Sequence, residues 1–361
     1  MKRHCLMFLG LLIMVVWSFE AAHACTYLFL KAKDGSIVSI RSQEFFTKLG
    51  AQLQMIPRGT AYASSAPKGA KGLQWKSKYG VVAISVLENK YILCDAANEK
   101  GLYITTLWFE DTKYPDIKPG DSVVDVRNFV AWVAGNFATV EELQKALDQI
   151  KVYGIVEEYF PTGKMIPLHW PVTDASGNSV VLEYIEGQLK IWDNRKNGVL
   201  TNEPNLGWHL DNLRFYSNLK AYGLPELEFK DEKCPLGSDL IGLPGDFTNA
   251  SRFIRISALR FFATPPKDAD EALNLGIHLI NTVDIPPGPQ LWIIGQTARV
   301  QFTPWHSFFD HRNLRFYYRT SDNPNLRLIN LQELNFQEGT PIKTRELYGG
   351  TPYINVTDGF K

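Results

Sequence analysis

Residues 26 to 44 alternate apolar and polar side chains on both sides of Lys33-Asp34-Gly35. That period of two, folded at an Asp-Gly turn, predicts an antiparallel hairpin. The same style returns at Tyr79 to Val86 and at Tyr91 to Phe109, the latter interrupted by the turn-like Asn98-Glu99-Lys100-Gly101. From Asp121 to Ile150 the spacing becomes helical, with Val126, Phe129, Val130 and Val133 on one face and Thr139 with Glu142 as a capping box for a second helix. Strands resume at Val172, where Asp174-Ala175-Ser176-Gly177-Asn178 and Glu186-Gly187 are turn signals around Val180 to Tyr184 and Leu189 to Trp192. Helical spacing covers Trp208 to Leu219, Asn249 to Phe262 and Asp268 to Thr282, and a strand-rich part runs from Leu291 to Leu331. Helices and strands come in blocks, which favours a layered α+β fold over a parallel doubly wound sheet. The Pro-rich stretch Ile285 to Pro289 reads as a loop after a helix.

The start of the chain follows a different rule. Lys2, Arg3 and His4 precede an uncharged run from Cys5 to Phe19, and Ala22-His23-Ala24 supplies the small residues that a signal peptidase reads. The run is roughly 15 residues, short of the ~20 that a membrane-spanning helix needs. Residues 1–24 therefore read as a signal peptide and 25–361 as one domain, secreted or periplasmic after cleavage at Ala24-Cys25. A lipid-anchoring signal would also leave cysteine first, so a non-catalytic lipoprotein that binds an acylated ligand is the alternative. Lipid-anchoring signals usually carry Leu three residues before the cysteine and a small residue two before; here those positions hold Ala22 and His23.

Composition adds limits. Hydrophobic residues make up 45% of the chain and aromatics 12%, enough for a large core. Thirty-eight basic residues balance thirty-eight acidic ones, with no basic block to attract nucleic acid. Losing Cys5 with the signal leaves Cys25, Cys94 and Cys234. Cys94, in Tyr-Ile-Leu-Cys, reads as a buried strand residue, and Cys234, in Lys-Cys-Pro, as a loop residue. The sequence carries no Gly-x-Ser-x-Gly elbow, phosphate loop, dinucleotide fingerprint or His-Glu-x-x-His, and no Cys-x-x-Cys for thiol exchange. His306 and His311 are spaced for neither a helix face nor a strand face, so neither metal nor cofactor is expected.

An N-terminal cysteine carries nucleophile and base in one residue, because its α-amine, with a pKa of about 7.7 to 8.0, can accept the thiol proton. Folding the hairpin at Asp34-Gly35 brings Arg41 and Glu44 near Cys25. A guanidinium favours a thiolate and a carboxylate can orient an ammonium, while a cross-strand ion pair at the sheet edge is the structural alternative.

These residues resemble the opening of the choloylglycine hydrolase and penicillin V acylase family, N-terminal-nucleophile hydrolases of linear amides. The resemblance continues through Asn98-Glu99-Lys100-Gly101-Leu102, Asp174-Ala175-Ser176-Gly177 to Glu183, Val199-Leu200-Thr201-Asn202-Glu203-Pro204, and Gly242-Leu243-Pro244-Gly245-Asp246 to Ser251-Arg252-Phe253. It implies a four-layer αββα sandwich, with Cys25 as nucleophile and its amine as base. It further implies Arg41 beside the sulfur, Glu44 in place of an aspartate that holds the amine, and Asn202 as an oxyanion donor. Arg252 matches a second arginine of the pocket, with Arg255 one turn on as the competing match. Trp108 stands where many bile-salt hydrolases have asparagine, its backbone N–H still suited to the oxyanion hole. With Phe45 it suggests a pocket for an apolar or aromatic acyl group. The implied substrate is a small N-acyl amide of the penicillin V, N-acyl homoserine lactone or conjugated bile salt type, and the implied assembly a homotetramer.

Overall fold

The alternation at the N-terminus forms β1 (Thr26–Lys31) and β2 (Ile37–Phe45), which pair antiparallel with Thr26 opposite Ser42 and Tyr27 opposite Arg41. The Asp34 carboxylate fixes the turn by accepting from the Ser36 N–H at 2.8 Å. The computed structural model describes residues 24–157, 163, 165–222, 227–229, 232–234, 240–294 and 297–360, so the predicted signal segment up to residue 23 lies outside the described residues.

Among the described residues, one antiparallel sheet has the order Val199–Leu200, β1, β2, Thr297–Asp310, Arg315–Thr320, Asn323–Asn330, with Gln290–Ile294 also paired to Thr297–Asp310. A second runs Gln188–Asp193, Ser179–Ile185, Leu168–Thr173, Tyr103–Thr105, Asn89–Asn98, Val81–Val86, Gln52–Ile56, Lys343–Glu346. Leu107–Trp108 joins it beside Leu168–Thr173. Their inner faces meet in a core that includes Tyr27, Val82, Tyr103 and Phe309.

Helices cover both outer faces. Helix α1 (Phe129–Asn136) is buried almost throughout and packs with α2 (Val140–Leu147) on the second sheet. After α3 (Leu206–Leu213), helices α4 (Asn249–Phe262) and α5 (Ala269–Asn281) lie on the first sheet. Gly276 lets α5 approach β2, because a Cβ there would stand 2.8 Å from Ile40 Cγ1. The layers are therefore α, β, β, α, as the family resemblance implies.

Two local expectations change. The helical reading from Asp121 begins too early, since Ser122–Asp125 is a strand parallel to Lys151–Tyr153. The Asp125 carboxylate ends that strand by accepting from the Ser65 N–H at 2.9 Å and the Arg127 N–H at 3.0 Å. The Cys234 backbone ends a short strand, Glu232–Cys234, in place of a loop, and its side chain lies outside the described residues. The capping box is half realised: Thr139 accepts from Glu142 N–H, but Glu142 reaches back to the Ala138 N–H.

Polar side chains stitch the sandwich near one end. Tyr27 OH meets Thr173 Oγ1 at 2.6 Å, Tyr103 OH meets Ser307 Oγ at 2.9 Å, and Arg41 pairs with Asp95 at 3.2 Å, each contact joining one sheet to the other.

Candidate active site

Cys25 immediately precedes β1 and is 2% exposed. Its Sγ lies 3.8 Å from Arg41 Nη2 and donates weakly to the Glu44 carbonyl at 3.9 Å. Burial pushes the thiol pKa up. The Arg41 charge pulls it down, the Glu44 carboxylate adds to the rise, and backbone hydrogen bonds at Glu44 and Trp108 again favour the thiolate.

Arg41 and Glu44 are three residues apart on a strand, and successive side chains alternate faces, so they leave β2 on opposite sides. Their mutual ion pair does not form. Arg41 points between the sheets, where Nη1 bonds Asp95 Oδ2 at 3.2 Å and Nη2 donates to Thr106 O at 2.9 Å and to Gln43 Oε1. Glu44 takes a hydrogen bond from Thr303 Oγ1 at 2.9 Å, and its Oε2 has no hydrogen-bond partner among the described residues. Burial pushes this carboxyl up to about 8, with the Arg252 charge the largest opposing influence.

The strand Val199–Leu200 brings Asn202 alongside. Leu200 pairs with Tyr27 and Val199 with Leu28, antiparallel, so continuing the register places Asn202 beside Cys25. Asn202 Nδ2 donates to Trp108 O at 2.8 Å, and its Oδ1 accepts from Arg252 Nη2 at 2.8 Å. One amide side chain thus ties the Trp108 backbone to α4.

Of the two candidate arginines, Arg252 reaches this centre. It donates from Nη1 to Cys25 O and to Thr26 Oγ1, both at 2.7 Å, from Nη2 also to Asn249 Oδ1 at 2.8 Å, and from Nε to Phe247 O at 3.1 Å. Arg255 instead donates to Pro244 O at 2.9 Å and Asp246 O at 3.1 Å, bracing the loop before α4. Arg252 lies behind the cysteine and outside the pocket lining.

In front of the sulfur is a slot of about 70 Å³ whose walls include Phe45, Leu49, Leu87, Cys94, Trp108 and Ile166. Trp108 Nε1 donates to Glu110 Oε2 at 2.9 Å, which fixes the indole. Phe45 stacks on Phe46 with centroids 4.3 Å apart, and Trp292 packs on both at 5.9 and 4.8 Å. Cys94 is the buried strand residue its surroundings predict, and burial raises its thiol to about 12.

Several residues at this centre have no counterpart in the sequence reading. Asp95 had a readable signal, a lone acid inside the otherwise apolar run from Tyr91 to Ala97. Asn249 donates to Glu203 O at 2.9 Å, and a His209 ring nitrogen bonds Asn202 O at 2.9 Å, so both pin the segment that carries Asn202. Trp292 comes from a strand far along the chain, and only the sheet places it. Among the described residues, no three His, Cys, Asp or Glu side chains are grouped to hold a metal ion.

Residues 25–345 match the linear amide C–N hydrolases of the choloylglycine hydrolase family. The chain is 32% identical over 342 residues to a bile salt hydrolase/transferase of Clostridium perfringens, covering 92% of this chain and 99% of that protein. It is 27% identical over 316 residues to a penicillin V acylase of Pectobacterium atrosepticum, covering 83% and 78%. A solved variant of the conjugated bile acid hydrolase of Clostridium perfringens superposes with a TM-score of 0.80 at 31% identity, over 92% of this chain and 99% of that one. The penicillin V acylase of Agrobacterium tumefaciens shares the fold, with a TM-score of 0.72 at 24% identity over 89% and 90% of the two chains. Sequence match and sandwich agree over nearly the same span, and the chain belongs to the choloylglycine hydrolase family of linear amide C–N hydrolases.

Proposed function

We propose that this hydrolase is an exported cysteine amidohydrolase, active once cleavage after Ala24 frees Cys25 as the first residue of a domain running to Lys361. The observation that carries the reading is that Cys25 lines an apolar slot with Arg41 Nη2 3.8 Å from its sulfur, while Asn202, next to it in strand register, is held on the Trp108 carbonyl at 2.8 Å.

In this reading the α-amine of Cys25 takes the thiol proton, and the thiolate attacks the amide carbonyl. Asn202 Nδ2 and the Trp108 N–H hold the oxyanion. The α-ammonium returns its proton to the leaving amine, and water then releases the acid from the thioester. Arg41 favours the thiolate, and the open Oε2 of Glu44 is available to hold the ammonium. Arg252 keeps Cys25 O and Asn202 Oδ1 on one guanidinium. The burial of Cys25, 2% exposed, also speaks against a membrane-embedded lipid on its sulfur.

The slot favours an apolar or aromatic acyl group, because its lining is mostly apolar. Aromatic walls at Phe45 and Trp108 suit a phenoxyacetyl or linear acyl chain, as on penicillin V or N-acyl homoserine lactones, better than a bile acid.

Three measurements test this. Initial rates on penicillin V, an N-acyl homoserine lactone and glycocholate should rank glycocholate last, and the reverse order would remove the acylase reading. Asn202→Ala should lower kcat about 100- to 1000-fold, since one oxyanion donor is worth roughly 3 kcal/mol. Unchanged turnover would take Asn202 out of the mechanism. The intact mass of the exported protein should equal the chain from Cys25 with no added acyl group.

A further inference from the structure

We infer that Asp95 is a positioning residue for catalysis, the anchor that holds the Arg41 guanidinium against Cys25 Sγ. The inference rests on the reading of Cys25 as nucleophile. Asp95 belongs to Asn89–Asn98 in the second sheet and is fully buried. Its carboxylate is itself immobilised by three uncharged donors from two other strands. Trp305 Nε1 bonds Oδ2 at 2.7 Å, Tyr103 OH bonds Oδ1 at 3.4 Å, and Thr105 Oγ1 bonds Oδ1 as well. Against that fixed anion stands Arg41 Nη1 at 3.2 Å, and the other end of the same planar group, Nη2, faces the sulfur at 3.8 Å. A guanidinium gripped at one nitrogen has its second nitrogen placed by its own planarity. Trp305 adds a flat wall, its ring 5.5 Å from Arg41 Cζ.

An ion pair that merely joined the sheets would not need to aim its second nitrogen, which Thr106 O and Gln43 Oε1 also hold, at the thiol. The other charged or titratable groups around the sulfur are Glu44 from β2, Cys94 from the strand of Asp95, Tyr103 from its neighbour and Arg252 from α4. Arg41 is the largest influence favouring the thiolate, so its placement controls how readily the proton leaves.

The test uses the processed enzyme and the pH dependence of iodoacetamide alkylation at Cys25, followed by peptide mass. With the anchor neutralised in Asp95→Asn, Arg41 loses its charged partner and keeps only Thr106 O and Gln43 Oε1. The alkylation midpoint should move to higher pH and kcat should fall about 10- to 100-fold with KM within about threefold, the loss typical of a small misplacement. Asp95→Glu should recover part of both. A midpoint that moves to lower pH would mean that Asp95 only opposes the Arg41 charge, and an unmoved midpoint would mean a purely structural role; either overturns the inference. If Asp95→Asn does not fold, Trp305→Phe removes one donor without touching either charge and should give a smaller shift of the same sign. Turnover that survives complete alkylation of Cys25 would instead sink the nucleophile reading itself.

Discussion

Two buried arginines flank Cys25 and they are held in opposite ways. Arg41, on the sulfur side, stands 3.2 Å from the Asp95 carboxylate, which keeps its guanidinium firmly charged. Arg252, on the backbone side, reaches the carbonyls of Cys25 and Phe247, the Thr26 hydroxyl and two asparagine amide oxygens. Burial pulls its pKa down to about 10, with Glu44 the largest opposing charge. The difference separates two uses of one side chain. Arg41 delivers charge to the thiol, while Arg252 delivers geometry, a five-donor fork that fixes Cys25 and Asn202 relative to each other.

The sharpest way to break this comparison is Arg252→Lys. A lysine keeps the charge but cannot span the acceptors, and each buried oxygen left unsatisfied costs about 1–3 kcal/mol. Urea denaturation should lose about 3–5 kcal/mol of stability, with turnover falling as well. A stable, active lysine variant would show that charge alone was needed.

A middle-sized effect should appear at Glu44. Its carboxyl is raised to about 8 while the Cys25 nitrogen is still an amide. A raised pKa in the folded state means that the stabilising contribution is present below the ordinary value of 4.5 and is lost as pH climbs through about 8. The unprocessed chain should therefore weaken between pH 5 and 8, by on the order of a few kcal/mol, and Glu44→Gln should flatten that slope. In the processed enzyme the ammonium should oppose the slope, so urea midpoints at the two pH values separate the forms.

The smallest effect belongs to Arg255→Gln. Only the bonds to Pro244 O and Asp246 O are at stake, so stability should drop by about 1 kcal/mol with kcat nearly unchanged. A large fall in kcat would return Arg255 to the site.

Periodicity located the N-terminal hairpin and both long helices, since α4 and α5 bury one face each and carry Thr248 and Asp268 as N-caps. It failed at Ser122–Asp125, where β-branched residues pair in parallel with a strand about thirty residues away, information that no local window holds. Arg41, Asn202 and Arg252, which the resemblance implies for the site, lie around Cys25. The resemblance also marked residues with no part in the centre: Asn98 Nδ2 donates to Ala134 O and Phe137 O, both at 2.8 Å, and fastens α1 to the second sheet. Glu183 is similar, accepting from Trp192 Nε1 at 2.7 Å and from the Leu206 N–H at the start of α3 at 3.1 Å. What could not be read was partnership across the sheets, because Asp95 meets Arg41 only through tertiary packing. The same holds for Trp292, whose contact with Phe45 depends on how Gln290–Ile294 folds back on Thr297–Asp310.

Part of the slot is built from different material than the centre beside it. Arg41, Asp95, Tyr103 and Trp305 sit on paired strands locked across the sandwich. Leu49, Leu87 and Ile166, by contrast, lie on connections between strands and shape the wall that an acyl group would touch. Substitutions on those connections can alter which acids fit while leaving the thiol and its arginine where they are, so the architecture separates the evolution of appetite from the preservation of chemistry.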